Sequence, residues 1–222
     1  MQPKSAQSNA GNWKDYKRVL LPPVRDLHRL DVYEKNGGYS ALREVLTQDK
    51  WDPKTVASTV KDSGLRGRGG ASFSAGLKWS FMPPVDDRPR YLCCNGDESE
   101  PGTFKDRQLM EYNPHLVLEG MLIACYAMSI TTAYLYVRGE YADWIAHMED
   151  ELKKAYAKGY VGKNIMGTDF STEIVIHKGA GAYICGEETS LMESLEGKRA
   201  YPRIKPPFPA MYGCWGMPTT IN

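Results

Sequence analysis

The sequence predicts an α/β fold: a doubly wound, mostly parallel sheet preceded by an N-terminal arm. Two observations carry this. Short apolar runs at residues 90–95, 132–137 and 172–177 alternate with longer segments of helical periodicity at 114–129, 142–158 and 186–195. Strand–helix alternation of this kind builds parallel sheets. In addition, an acidic stretch follows the first run and a glycine-rich one follows the third. Those are the carboxyl ends of strands, where such sheets open their binding crevices.

In chain order, residues 1–50 read as the arm and 51–222 as the α/β domain. Leu21-Pro22-Pro23-Val24 is extended, residues 36–39 form a turn, and Tyr39, Leu42, Val45 and Leu46 mark a short helix. Asp52 followed by Pro53 starts another helix, as cap and first helical residue. Residues 90–95 (Arg-Tyr-Leu-Cys-Cys-Asn) read as a buried strand, and Pro114 opens the longest helix. The tail at residues 201–209 is proline-rich and reads as rigid and extended, and residues 218–222 look cut rather than completed.

Composition excludes several classes. The chain has 222 residues, 25% of them charged, and a net charge of +1, so no general nucleic-acid surface is expected. The five cysteines have no C-x-x-C spacing. Scattered thiols in odd number fit a reducing compartment rather than zinc binding. Residues 1–20 lack the apolar core of a secretory signal, and the longest apolar run, 116–130, is interrupted by Glu119 and too short to cross a bilayer. A soluble or membrane-peripheral protein is expected.

Three segments carry the chemistry. Residues 64–79 place five glycines among Arg66, Arg68 and Lys78; bare amides and cations of this kind form an anion nest. The alternative, a flexible Gly/Arg surface loop, stays open on composition alone. The acidic loop at 96–102 and the loop at 179–188 offer Asn95, Asp97, Glu98, Glu100, Glu187 and Glu188. Carboxylates suit ribose or ribityl hydroxyls and flavin N–H groups, not pyrophosphate. Together the segments describe a mononucleotide or dinucleotide site. No P-loop sequence occurs. Residues 67–72 begin like G-x-G-x-x-G but end in Ser72 and follow a helix, which excludes the usual dinucleotide fingerprint.

Five ordered motifs then resemble one family. They are residues 67–73, Lys78-Trp79, residues 94–102, residues 179–189 and residues 205–209. They are similar to the flavin-binding (F) subunit of respiratory NADH–quinone oxidoreductase, complex I, with relatives in NAD-linked hydrogenases and formate dehydrogenases. The resemblance implies a Rossmann-like domain that holds FMN and takes a hydride from NADH. It implies that Gly67, Arg68, Gly69 and Lys78 hold the FMN phosphate and ring. Asn95, Asp97, Glu98 and Ser99 would bind the ribityl chain and ring edge, with Tyr183, Gly186, Glu187 and Asn222 lining the same pocket. Phe73 and Phe81 would stack on the adenine of NADH, and Glu100, Glu188, Lys205 and Phe208 would complete the NADH site. Glu188 beside the adenosine ribose would repel a 2′-phosphate and favour NADH over NADPH.

No side chain is expected to act as a catalytic acid or base, because FMN carries the hydride chemistry. The resemblance further implies ubiquitin-like and helical domains beyond residue 222, with the cysteines of a 4Fe-4S cluster in the helical one. It implies partnership with other peripheral-arm subunits, notably the small iron–sulfur subunit, at the inner face of the cell membrane. The alternatives are a diaphorase subunit of a hydrogenase or formate dehydrogenase, or a non-catalytic nucleotide-binding fragment. Three departures stand out: Ser72 where relatives usually carry glycine, Gly96 where alanine is common, a change expected to be mild, and, the largest, that none of the five cysteines is at the family's cluster-ligand positions. His28, His115, His147 and His177 lie outside the motifs and read as structural or surface residues.

Overall fold

A computed structural model describes residues 18–222. The polar residues 1–17 of the predicted arm lie outside the described residues. Four strands, β1 (Tyr91–Gly96), β2 (Thr132–Val137), β3 (Glu173–Lys178) and β4 (Thr219–Ile221), form one sheet in the order β3-β2-β1-β4. Every pairing is parallel, with Leu92 beside both Ala133 and Thr220. Side chains alternate between faces along a strand. Leu92, Leu135, Val137 and Ile174 therefore enter one core, and Cys93, Tyr136 and Ile221 enter another.

Both faces are covered, as a doubly wound sheet requires. On the first face lie α6 (Pro114–Met128) and α7 (Ala142–Ala157), which bury Leu118, Leu122 and Met148. On the second lies α8 (Glu188–Leu195) with Leu191 and Met192. Each such side chain contributes roughly 1.5–3 kcal/mol by leaving water. Proline occupies the first turn of α6, and the helix ends at Ser129 in the left-handed region, φ 53°.

Two helices of the predicted arm, α1 (Leu30–Lys35) and α2 (Ser40–Thr47), belong to the first core. Leu30, Tyr33, Tyr39 and Leu42 are buried there. Asp52 caps α3 (Pro53–Asp62) as the sequence predicts, accepting from the Thr55 amide at 2.7 Å. α3 then lies so close to α4 (Ala75–Trp79) that a Cβ on Gly76 would fall 2.4 Å from Lys61 Cα. Glycine is required at that crossing.

Several elements depart from the expectation. α1, α4, α5 (Lys105–Tyr112) and β4 are additional, and the last predicted helix starts at Glu188, after a 3-10 turn at Tyr183–Gly186. The tail is not uniformly extended but bends at residues 205–207. Gly96 is not a mild departure either: a Cβ there would sit 2.9 Å from the Tyr136 carbonyl oxygen, because β1 and β2 pair closely at that register. No described helix is long and apolar enough to cross a membrane.

All five cysteines are free thiols. Cys93 and Cys214 lie 3.7 Å apart with both side chains buried. Their mutual hydrogen bond and burial push the Cys93 thiol well up, and burial raises Cys94 to about 12. Thiolates are the reactive form. An aromatic disulfide reagent at pH 8 is therefore expected to label the native chain slowly and to titrate all five thiols at once in urea. Rapid labelling of Cys93 in the native chain, identified by mass spectrometry, would contradict this packing.

Candidate functional site

The strand order reverses direction between β1 and β4, because β2 and β3 extend the sheet to one side of β1 and β4 to the other. Such switch points leave a crevice at the carboxyl ends of the strands. Its floor is made where β1 and β4 run out. The Asn95 amide donates to the Asn222 carbonyl at 2.6 Å, and the Asn222 amide donates to the Cys93 carbonyl at 2.9 Å. Asn95 and Asn222, both predicted site residues, thus stand side by side.

The Asn95 side chain joins two of the predicted segments. Its Nδ2 donates to the Gly186 carbonyl at 2.9 Å, and its Oδ1 accepts the Asp97 amide at 3.1 Å. Asp97 itself is half satisfied. One carboxylate oxygen accepts from the Ser99 hydroxyl, while the buried Oδ2 has no partner. Burial raises its pKa above the ordinary carboxylate value. A buried acceptor without a donor costs roughly 1–3 kcal/mol. The arrangement suits a ligand that supplies a hydroxyl or N–H.

Glu98 and Glu187 each cap a helix beside the crevice. Glu98 is buried, and its carboxylate accepts the amides of Asp106 at 3.0 Å and Arg107 at 3.1 Å, at the start of α5. Burial raises its pKa, but those amides and Lys105 outweigh it and leave the group below the ordinary value. Glu98 supplies the acceptor that Phe104, at the cap position of α5, does not. Glu187 likewise caps α8, accepting from the amides of Thr189 and Ser190 at 2.9 Å. Glu98 thus uses both oxygens on loop amides, whereas Glu187 uses Oε2 alone and keeps Oε1 beside Lys205.

The cationic side of the crevice is Lys78 on α4. Its Nζ donates to the Ile221 carbonyl at 2.7 Å and pairs with Glu188 at 3.2 Å. The other oxygen of Glu188 accepts from Lys205, which also lies 3.5 Å from Glu187. Glu188 is therefore held between two cations. Burial raises its pKa, and Lys205 and Lys78 more than reverse that. Tyr183 donates to Glu100 at 2.6 Å, which links the 3-10 turn to the acidic loop.

The glycine loop is a hairpin leading into α4. Its ends are joined by the Gly67 amide donating to the Phe73 carbonyl at 2.9 Å and the Ala75 amide donating to the Leu65 carbonyl at 2.9 Å. Gly67, Arg68 and Gly69 stand exposed on it. Nothing lies within 4 Å of a Cβ built on Gly69 or Gly70, so the backbone there is bare. Ser72 adopts φ 52°, a left-handed conformation that favours glycine. Phe73 and Phe81 project side by side, ring centroids 6.1 Å apart and 43% and 52% exposed. Phe208 is also exposed.

Sequence reasoning missed the residues that leave β2. Arg138, Glu140 and Tyr141 contact the acidic loop or the loop after β3. Their position at a strand's carboxyl end was the available signal. Among the described residues no group of three or more His, Cys, Asp or Glu is placed to hold a metal ion.

A parallel doubly wound sheet with a carboxylate-and-cation crevice at its switch point defines a nucleotide-binding α/β domain. The family model described as the Nuo51 FMN-binding domain (Complex1_51K) matches residues 60–222, and the chain belongs to that family. The F 2 subunit of the NADH-quinone oxidoreductase of Rhizobium meliloti is 54% identical over 209 residues, 93% of this chain and 49% of the relative. The F subunit of the Escherichia coli NADH-quinone oxidoreductase is 53% identical over 194 residues, 87% of this chain and 43% of the relative. The chain thus spans about half the length of these curated relatives. A crystal structure of NAD+-reducing NiFe-hydrogenase in the H2-reduced state superposes with a TM-score of 0.73 at 39% identity. The match covers 88% of this chain and 33% of that one.

The residues present fit FMN. The orphaned Asp97 oxygen lacks a donor that a ribityl hydroxyl or ring N–H supplies. The bare amides at Gly69 and Gly70 and the Lys78 ammonium offer what a phosphate requires.

Proposed function

We propose that the chain is the FMN- and NADH-binding part of the flavoprotein subunit of a respiratory NADH–quinone oxidoreductase. The observation that carries this reading is the buried, unpartnered Asp97 oxygen next to Asn95, whose amide bonds Asn222, with Lys78 on the neighbouring Ile221 carbonyl. The higher identity to the two oxidoreductase relatives, 54% and 53%, than to the hydrogenase, 39%, favours this assignment over a diaphorase of a hydrogenase.

FMN, when bound, supplies hydride acceptance from NADH and single-electron delivery to iron–sulfur clusters. The chain's own residues bind, orient and exclude. Asp97 accepts from the ligand, Asn95 and Asn222 fix the floor, and Gly67, Arg68, Gly69 and Lys78 take the phosphate end. Glu98, Ser99, Gly186 and Glu187 shape the loops around it. Phe73 and Phe81 offer an exposed aromatic pair to the adenine of NADH, with Glu100, Tyr183, Lys205 and Phe208 around the entrance. No side chain has to move a proton, since positioning and field are what a hydride transfer asks of the protein. The partners are other peripheral-arm subunits, notably the small iron–sulfur subunit, at the inner face of the membrane.

The test is an anaerobic titration. The purified chain mixed with FMN is expected to show protein-bound flavin absorbance that NADH bleaches; a chain that takes up no FMN overturns the reading. Glu188 sets the preference for NADH, because its carboxylate opposes a ribose 2′-phosphate. Glu188→Gln is expected to narrow the NADH-over-NADPH ratio of flavin bleaching rates by about tenfold, the effect of one like-charge contact near a protein surface. An unchanged ratio would remove Glu188 from that role.

A further inference from the structure

The walls of the crevice are two loops from different strands, the acidic loop after β1 and the loop after β3 that ends in Tyr183–Gly186. β2 lies between those strands, so the residues leaving β2 stand between the two walls. Arg138 is the first of them. Its Nη1 donates to the Glu98 carbonyl at 2.7 Å. Its Nε and Nη2 engage the Glu140 carboxylate at 3.1 and 3.0 Å. The guanidinium also lies over the Tyr141 ring, 5.3 Å from its centroid, and Tyr141 donates to the Glu98 carboxylate at 3.3 Å. Arg138 and Tyr141 thus hold Glu98 by its carbonyl and by its carboxylate.

The other half of the contact reaches the second wall. A Cβ built on Gly181 would lie 3.2 Å from Glu140 Oε1, and one on Gly139 only 2.4 Å from the Gly179 carbonyl oxygen. The loop after β3 is pressed directly against residues 139–140. A planar guanidinium with several donors serves a carbonyl on one side and a carboxylate on the other.

We propose that Arg138 is a positioning residue that clamps the two walls of the flavin crevice at a fixed separation, an inference that rests on the FMN-binding reading above. Glu98 is the neighbour of Asp97, whose buried Oδ2 has no partner. Binding groups must be held to within about half an ångström to be effective, and Arg138 is the cation that fixes the Glu98 peptide.

The experiment is FMN binding by fluorescence quenching, with the melting temperature of the FMN-free chain recorded for each variant. Arg138→Met is expected to raise the dissociation constant roughly 10- to 100-fold, the loss of a hydrogen bond from a charged donor. Arg138→Lys restores a cationic donor to the Glu98 carbonyl and is expected to recover most of that loss. Binding by Arg138→Met as tight as by the unsubstituted chain overturns the clamp. So does an Arg138→Lys variant as weak as Arg138→Met, the pattern of a lost packing contact. Should Arg138→Met not fold, Glu140→Gln, a half-exposed position, carries the test. It is expected to weaken FMN binding by about threefold, and unchanged affinity overturns the proposal. An unsubstituted chain that takes up no FMN overturns the proposed function itself, whereas the other outcomes bear on Arg138 alone.

Discussion

Lys78→Met is expected to leave a folded chain that has lost most of its affinity for FMN. Lys78 sits in α4, which Gly76 locks against α3, and its side chain is only 31% exposed. The ammonium reaches the Ile221 carbonyl at the end of β4 and one oxygen of Glu188. Neither contact is needed for the fold: Glu188 keeps Lys205 as a partner, and β4 keeps its pairing with β1. What disappears is the cation beside the crevice floor. Charge-assisted contacts to phosphate are about twice as strong as neutral hydrogen bonds, and at roughly 1.5–3 kcal/mol each the dissociation constant should rise by roughly 10- to 100-fold or more. Quenching of flavin fluorescence measures this directly. Equal affinity in Lys78→Met and the unsubstituted chain would place the phosphate elsewhere.

The second large effect is on stability and lies far from the crevice. In the sequence Glu119 is an interruption in an apolar run; in the structure it is the anchor of the N-terminal helices. Its buried carboxylate accepts the Tyr33 hydroxyl at 2.6 Å, the Tyr39 amide at 2.8 Å and the Leu42 amide at 3.0 Å. Glu119→Ala would strand all three donors in the core and open a cavity. The expected cost is about 3–5 kcal/mol, a large share of the roughly 5–15 kcal/mol that holds a domain of this kind together. Urea unfolding should show the midpoint falling accordingly; a shift under about 1 kcal/mol would mean that water reaches the donors.

His115 adds a pH signature to the same region. Its Nδ1 faces the Tyr39 hydroxyl at 3.0 Å and its Nε2 faces Glu151 at 3.0 Å. Glu151 can only accept, so the neutral ring carries its proton on Nε2 and accepts from Tyr39 on Nδ1. Burial lowers its pKa from 6.5, more than Glu151 restores it. A depressed folded pKa means that the stabilisation is present above 6.5 and is lost as pH falls. The urea midpoint is therefore expected to drop between pH 7.5 and pH 5.5 by more in the unsubstituted chain than in His115→Gln.

The parts of the fold that were legible in the sequence are those with local causes. β2 matches the predicted residues 132–137 because a β-branched and aromatic run ends at Arg138-Gly139. α6 begins at Pro114 because proline suits the first turn. β4 has no such signature. Three residues become a strand only because β1, far away in sequence, offers its edge. α5 was missed for a related reason: the acceptor at its start is Glu98, outside the helix and hidden in a run of acids.

The site divides the same way. Asn95 bonds the Asp97 amide, and Lys78 joins Glu188 to the Ile221 carbonyl at the end of β4. Composition does not separate Asp97, with a free oxygen, from Glu98, whose two oxygens take backbone amides, or Glu187, which takes two on Oε2 alone. That distinction is set by distant partners, as is the role of Arg138.

The pairing of β1 with β4 has a consequence for biosynthesis. Tyr91 is matched to Thr219, and the Asn95 amide bonds the Asn222 carbonyl, so the crevice floor joins residues far apart in the order of synthesis. Contacts this distant in sequence form slowly, because the loop between them must close first. While the ribosome is still adding residues before 219, the nascent chain can assemble β1, β2 and β3 and the helices between them, but not the floor. The floor is therefore completed only after residues 219–222 have emerged and filled the edge of β1.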